Sequence, residues 1–369
     1  MARLDAHVLV VNAGSSSLKL RVLSPDDEVT AGADLPAPRG AADNADIKKA
    51  IESFGRVDAV GHRVVHGGTL YAAPVLVNAE VRRGIESLTD LAPLHQPKSL
   101  AALDAVSAVL PGAPAVACFD TAFHATIGDA ASTYALPAEW RARWTLRRYG
   151  FHGLSHAYAS RRVAELLGEP DGLRAVTCHL GAGASLAAVL SGRSVDTTMG
   201  FTPLEGLVMA TRSGTVDPGL VLWLEDHAGT PSAELGEALE YRSGLAGLAG
   251  TSDMREVLSR AAAGDPRAVL GRDVYLHRLR GSIGAMAAAM DGLDAIVFTG
   301  GVGENSAEIR IRAAAGLGFL GIRVDESRNA GNGADDYDIG ADGARVRAFV
   351  IAAREDKQIA GEVRSVLAR

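Results

Sequence analysis

Four residues have settings that suit chemistry on an anion. Arg63 lies in Val60-Gly61-His62-Arg63-Val64-Val65-His66-Gly67-Gly68, a strand pattern that encloses a guanidinium in apolar neighbours. An arginine on a buried strand needs a partner, and a carboxylate or a phosphate oxygen would serve. A structural ion pair is the plainer form of that reading. Asp120 follows the apolar run Val116-Ala117-Cys118-Phe119. Strand ends of this kind carry ligand-facing groups in α/β folds, and an aspartate there can equally cap a following helix. His152 stands between glycines in Gly150-Phe151-His152-Gly153, ahead of a helix that Ser155 can cap. It is either a donor near transferred charge or a histidine satisfied by backbone carbonyls. Arg212 closes a long polar and glycine-rich stretch, residues 196–214, of the kind that forms a working loop.

Three glycine turns accompany these groups. Val8 to Leu20 reads as a tight β-hairpin, two apolar strand-like runs joined by the turn chemistry of Asn12-Ala13-Gly14-Ser15. The turn offers backbone N–H groups, hydroxyls and, at Lys19, an ammonium, which together suit phosphate oxygens. An ordinary hairpin with a polar turn remains the alternative. The segment is not a Walker A loop, because no Gly-Lys-Ser/Thr opens a helix, nor a dinucleotide fingerprint, because a strand follows. Ala175 to Leu180, Gly181-Ala182-Gly183-Ala184 and Ser185 to Leu190 repeat the arrangement, with Ser185-Leu186 placed as Ser17-Leu18 is. Leu293 to Thr299 then runs into Gly300-Gly301-Val302-Gly303-Glu304-Asn305-Ser306, a strand and glycine turn before a helix, which favours phosphate or nucleotide. The repeat predicts two lobes with a cleft where the first two turns face each other, and domain clefts favour ligands.

The frame around these residues is an alternating α/β chain. Strands are expected near 8–12, 16–23, 57–65, 115–119, 174–180, 184–190, 294–299 and 345–351, with helices near 78–89, 98–109, 155–167, 253–263, 266–290, 304–315 and 355–368. Residues 34–44 read as a surface loop. The 369 residues suggest two domains. With 47% hydrophobic residues and 42 glycines, the chain can bury a large core and turn tightly. A net charge of −7 without a basic block argues against nucleic acid as a partner. The apolar run after His7 is too short to span a membrane, and Met1 to Asp5 is no signal peptide. Cys118 and Cys178 end apolar strand patterns and are expected as buried free thiols, which fits a reducing cytoplasm.

Taken together, residues 10–19, 61–68, 91–97, 119–124, 148–156, 199–214 and 298–306 resemble the motifs of the acetate kinases, in family order and over nearly the whole chain. That family belongs to the superfamily of acetate and sugar kinases, heat-shock chaperones and actin. The resemblance implies a duplicated ribonuclease-H-like, actin-like ATPase fold, with a first domain at 1–124 plus 357–369 and a second at 125–356. It implies reversible, direct in-line phosphoryl transfer from MgATP to acetate, giving acetyl phosphate and ADP, in a cytoplasmic homodimer formed through the second domain. Mg²⁺, or Mn²⁺ in its place, would be held by Asn12 and Glu355. Arg63 and Arg212 would hold the acetate carboxylate and the phosphoryl group in transit, with His152 and Arg212 stabilising the transition state and Asp120 orienting the group. Ser15, Ser17, Lys19, His179, Leu180, Gly181, Ala182 and Gly183 would line the phosphates. Asp253, Met254, Arg255, Gly301, Val302, Gly303, Glu304 and Asn305 would cradle adenosine, and His95 and His179 match supporting positions.

Val65, Leu94, Phe151 and Pro203 match the slot around the acetate methyl. Valine at 65 leaves little room for propionate, yet one methylene discriminates by only about 1–3 kcal/mol. Ala182, Gln96, Leu154 and Thr215 depart from the family's asparagine, asparagine, threonine and aspartate, and Arg354-Glu355-Asp356 departs from its Asn-Glu-Glu. A short-chain acyl kinase such as a propionate kinase is the nearest rival reading. An actin-like ATP module without kinase activity leaves both arginines and His152 unexplained. A sugar-kinase-related repressor would need a DNA-binding helix pair ahead of residue 8.

Overall fold

The computed structural model describes residues 5–14, 17–37, 42–169, 171–331 and 336–369. The chain divides into two compact units, one of residues 1–125, 151–158 and 354–369, the other of residues 126–150 and 159–353.

The first unit is built on six strands: β1 (Val8–Ala13), β2 (Ser17–Leu23), β3 (Val29–Pro36), β4 (Ala59–Val64), β5 (Val75–Leu76) and β6 (Ala115–Phe119), in the order β3-β2-β1-β4-β6-β5. The expected hairpin is present, with Asn12 opposite Lys19 and Ala13 opposite Leu18. Strand β1 is apolar at successive positions because both its faces are covered, as in parallel sheets. Val8 and Val10 pack with Val116, Cys118 and Leu154 against Ile359, Ala360 and Val363 of the C-terminal helix Glu355–Leu367. Leu9 and Val11 pack with Val60 against Ile47, Ile51, Ala102 and Val106 of the helices Asn44–Glu52 and Gln96–Val109 on the other face. Gly61 permits the close approach of the C-terminal helix, since a Cβ there would lie 2.4 Å from Ile359.

The second unit repeats the plan with β7 (Arg174–Leu180), β8 (Ala184–Leu190), β9 (Arg193–Thr197), β10 (Ala295–Thr299), β11 (Tyr337–Asp338) and β12 (Arg347–Val350), ordered β9-β8-β7-β10-β12-β11. Each sheet thus has an antiparallel three-strand meander, two parallel neighbours and an antiparallel edge strand. Even the irregularity recurs: the register shifts between Val22 and Leu23 and again between Ala188 and Val189. The sheet carries the long helix Pro266–Ala289, which buries Tyr275, Leu276, Leu279, Ile283 and Met286. Cys118 and Cys178 are free and buried.

Some expected elements differ. Residues 34–36 are the end of β3 rather than loop, pairing with Ser17 to Lys19. Their residues alternate between exposed and half-buried on an edge strand, so no apolar run marks them. The helix expected from 304 is two helices, and the glycine turn itself forms the first, Gly300–Asn305. Gly300 begins it with φ +78°, where a Cβ would strike the Leu180 backbone at about 3 Å. Pro218–Ala228, Ser232–Tyr241 and Gly244–Ala249 are further short helices.

Candidate active site

Parallel strands β1, β4 and β6 carry three polar side chains to one place in the first unit. The Arg63 guanidinium forks onto Asp120, with Nε donating to Oδ1 at 3.0 Å and Nη2 to Oδ2 at 2.6 Å. Its Nη1 donates to Asn12 Oδ1 at 3.1 Å and lies 3.4 Å from Glu355 Oε2. Asn12 Nδ2 in turn donates to Glu355 Oε2 at 3.1 Å, which closes the ring. Asp120 is only 2% exposed. Burial works against the charge on Arg63, but the Asp120 and Glu355 carboxylates outweigh it and raise the guanidinium's pKa. Burial likewise pushes the Asp120 carboxyl up against the pull of Arg63. Asp120 is fixed from both sides by the backbone, its N–H on Val64 O at 3.0 Å and its carbonyl taking the Gly153 N–H at 2.9 Å. A Cβ at Gly153 would lie 2.1 Å from that carbonyl, so glycine is required there.

The neighbouring segments set the rest. His152 adopts φ +56°, a left-handed backbone that a non-glycine residue keeps only when its surroundings impose it. Phe151 is buried edge-on against His66 at 5.4 Å. Gln96 is fully buried and grips the strand end after β4, donating to His66 O at 2.9 Å. Its amide therefore has a structural task in this chain, as does Leu154, which sits in the core below the C-terminal helix. Val65 is buried, while Leu94 is 44% exposed. Ser17 carries the turn bond, its carbonyl accepting the Gly14 N–H at 2.8 Å. Lys19 is exposed on β2 opposite Asn12. Ser15 lies outside the described residues.

The second unit holds a cavity of about 780 Å³. Gly181, Ala182, Asp253, Met254, Arg255, Gly301, Val302 and Asn305 line it, together with Ala210, Leu245, Ser252, Leu258, Tyr275, Ser306, Ala307 and Glu308. Asp253 caps the helix Met254–Ala262 through the Arg255 N–H and forks with the Arg255 guanidinium, which holds its carboxyl down at about 2. Other anticipated residues form the wall behind this space. Leu180 and Gly303 pack β7 against the short helix at Gly300, and His179 sits half-buried at the end of β7 beside the turn. The turn closes with the Gly181 N–H on Gly183 O at 3.0 Å. The Glu304 Oε1 atom accepts two backbone N–H groups, Gly300 at 2.8 Å and Ala353 at 2.9 Å. Glu304 is thus used by the backbone, and the lining of the cavity does not include it.

Two residues of this wall carry no signal in the sequence. Arg310 is 1% exposed and donates to the carbonyls of Gly303, Glu304 and Asn329 and to Asn329 Oδ1. It closes the C-terminal end of the helix Gly300–Asn305 without a carboxylate, and burial lowers its pKa. Tyr275 is buried with a hydroxyl that has no hydrogen-bond partner among the described residues.

The loop before the helix Pro218–Ala228 presents Arg212. Arg148 braces its beginning, donating to the carbonyls of Thr197, Thr198 and Met199 and to Glu205 at 2.8 Å. The Thr215 hydroxyl accepts the Gly206 N–H at 3.1 Å, which gives this departure from the family pattern a local role. Arg212 donates from Nη1 to Pro203 O at 2.7 Å, and Nε lies 3.2 Å from Glu240 Oε1. Burial lowers its pKa here, with Glu240 pulling the other way. Nη2 makes no hydrogen bond among the described residues.

Chemically, the first unit offers a fixed cation among oxygen donors and the second offers a guanidinium with spare donors and a roomy cavity. Asn12 and Glu355 are an all-oxygen pair suited to a hard cation such as Mg²⁺, which keeps several waters and phosphate oxygens besides its protein ligands. No group of three or more His, Cys, Asp or Glu side chains that could hold a metal ion occurs among the described residues.

Comparison with known proteins bears on this chemistry. The model of the acetokinase family matches residues 37–361. An acetate kinase from a Synechococcus strain is 51% identical over 313 residues, covering 84% of this chain and 77% of that protein. One from Leifsonia xyli subsp. xyli is 44% identical over 392 residues, covering 98% and 99%. Among solved structures, Porphyromonas gingivalis acetate kinase matches with a TM-score of 0.90 at 36% identity, covering 98% of this chain and all of that one. A propionate kinase from Francisella tularensis subsp. tularensis matches with a TM-score of 0.90 at 34% identity over the same share.

Proposed function

The chain belongs to the acetokinase family, and on that premise we propose that it transfers the terminal phosphoryl group of ATP reversibly to acetate. An acetate oxygen forms the new bond to the terminal phosphorus, the bond from that phosphorus to the bridging oxygen breaks, and ADP leaves. Acetate is already an anion, so no base has to remove a proton. The work is positioning and neutralisation of the three equatorial oxygens.

The observation that carries this reading is the Arg63–Asp120 fork with Asn12 and Glu355 beside it. Both Asp120 oxygens are engaged by Arg63, which suits an orienting role and not proton transfer. We assign Arg63 to the acetate carboxylate, Arg212 and His152 to the charge that develops on the phosphoryl group, and Val65, Leu94, Phe151 and Pro203 to the methyl slot. Asn12 and Glu355 would hold Mg²⁺, which supplies neutralising charge to the nucleotide phosphates. Ser15, Ser17, Lys19, His179 and residues 180–183 serve the phosphates. The cavity lined by Asp253, Met254, Arg255, Gly301, Val302 and Asn305 takes the nucleoside, with Gly303 and Glu304 supporting its wall.

We also take the protein to be a cytoplasmic homodimer, with domains at 1–124 plus 357–369 and at 125–356. Two buried free thiols support a reducing compartment, and no described helix is long and apolar enough to cross a membrane. The helix Pro218–Ala228 buries no residue and leaves Leu220, Leu222 and Trp223 about half exposed, a face that suits a second copy. Leu222→Glu should halve the mass read by light scattering.

The test of the activity is trapping of acyl phosphate with hydroxylamine, with MgATP and each short carboxylic acid in turn. Acetate should give the highest kcat/KM. Higher efficiency with propionate would favour the second reading, a propionate kinase, which the Francisella structure's name keeps in view. ATP consumption without any acyl phosphate would sink both.

A further inference from the structure

The setting of Arg212 differs from a simple surface ion pair. Its partner Glu240 is the next-to-last residue of the helix Ser232–Tyr241, and the two side chains are 18% and 17% exposed. The end of that helix is stitched to the segment carrying Arg212. Glu240's own carbonyl accepts the Thr211 hydroxyl at 2.9 Å, Leu239 O accepts the Ser213 N–H at 3.1 Å, and Thr211 O accepts the Ser243 N–H at 2.9 Å. Gly244, at φ +59°, lies so close that a Cβ would come within 2.6 Å of both Met209 O and Arg212 O. The backbone therefore delivers the Glu240 carboxylate to Arg212 with little freedom.

We propose that Glu240 is a positioning residue for phosphoryl transfer: together with the Pro203 carbonyl it holds two nitrogens of the Arg212 guanidinium, so that Nη2 is presented to an anionic oxygen. This rests on the reading of Arg212 given above. A single-point contact at Nε orients the group without occupying it, which a two-pronged carboxylate would do. The plainer alternative is a brace that merely fastens the loop to the helix.

The two roles separate in kinetics. Glu240→Ala should lower kcat on the order of 10- to 100-fold, the scale for a misplaced catalytic group, with the KM for ATP little changed. Glu240→Gln should recover most of that loss, because an amide oxygen can occupy the same place beside Nε. In an Arg212→Ala background, Glu240→Ala should cost no further kcat. Thermal unfolding of each variant separates lost aim from lost fold, and should the alanine variant not fold, Glu240→Asp, which withdraws the carboxylate by one methylene and should also lower kcat with the KM for ATP little changed, takes its place in both backgrounds. A wild-type kcat in folded Glu240→Ala, a glutamine variant as slow as the alanine one, or additive losses in the double mutant would each overturn the proposal. If Arg212→Ala itself turns over normally, the reading of Arg212 fails and this role with it. A crippled Arg212→Ala beside a normal Glu240→Ala removes only the positioning role.

Discussion

Arg63 and Arg212 are enclosed to nearly the same degree, with side chains 17% and 18% exposed, yet their surroundings treat them oppositely. Arg63 meets protein oxygen at all three guanidinium nitrogens, two of them on one carboxylate. Its pKa is raised, because paired charge overcomes burial. Arg212 has one carboxylate at one nitrogen and a carbonyl at another, and burial lowers its pKa. The first is a cation locked in place before any ligand arrives. The second keeps donor capacity and a stronger incentive to gain an anion, because an incoming oxyanion would offset its desolvation.

The largest effect expected from this contrast is in turnover. Arg63→Ala and Arg212→Ala should each lower kcat on the order of 10³–10⁵-fold with ATP affinity nearly unchanged. The lysine variants should then diverge. Lysine cannot reproduce the fork onto Asp120, so Arg63→Lys should resemble the alanine variant, whereas Arg212→Lys should retain more activity. Steady-state kinetics decide it, and equal losses for the two lysines would erase the distinction.

Stability should diverge next. Asp120→Ala strands a buried cation and should cost roughly 3 kcal/mol or more, tempered by Glu355. Glu240→Ala removes a single contact from a cation that keeps the Pro203 carbonyl, and should cost less, roughly 1–2 kcal/mol. Urea titrations of both variants test the ordering, which reversed values would contradict.

Acid should weaken the first unit in particular. His62, His66 and His124 belong to it, and burial pushes each imidazole down to about 4. The unfolded chain takes up these protons near pH 6.5, while the folded chain does so only near 4. Stability is therefore intact above pH 6.5 and falls as pH drops towards 4, by on the order of 2 kcal/mol per histidine at pH 5. His62 has no hydrogen-bond partner at either ring nitrogen among the described residues, so His62→Leu should flatten the slope. A stability unchanged between pH 7 and 5 would refute this.

Smaller effects concern fit. Val65→Ala should improve propionate relative to acetate by about 1–3 kcal/mol in kcat/KM. Tyr275→Phe removes a buried hydroxyl without a partner among the described residues and should leave stability equal or raise it by up to about 1 kcal/mol. A clear loss would mean that the hydroxyl has an acceptor.

Legibility in the sequence followed how local each signal was. The two hairpins were readable because glycine turns between apolar runs are local, and their likeness announced the doubled sheet. Arg63 and Asp120 were noticeable as charges at apolar strands, although their pairing across 57 positions was not visible. Glu240 was hidden because a helix bearing Glu234, Glu237 and Glu240 looks like a solvated face. Arg310 was hidden for the same reason, since its carbonyl partners come from a helix end that has no sequence mark. Glu304 was visible as part of a motif, but its use by Gly300 and Ala353 depends on a contact 49 residues away.

Both native thiols are sealed in the interior, and burial raises the pKa of each, so neither offers a thiolate to reagents or oxidants. The protein thus comes with a chemically silent cysteine background. One cysteine introduced at an exposed site would be the sole attachment point for a fluorophore or spin label, with no native residue to delete first. Storage without reductant should leave its activity intact.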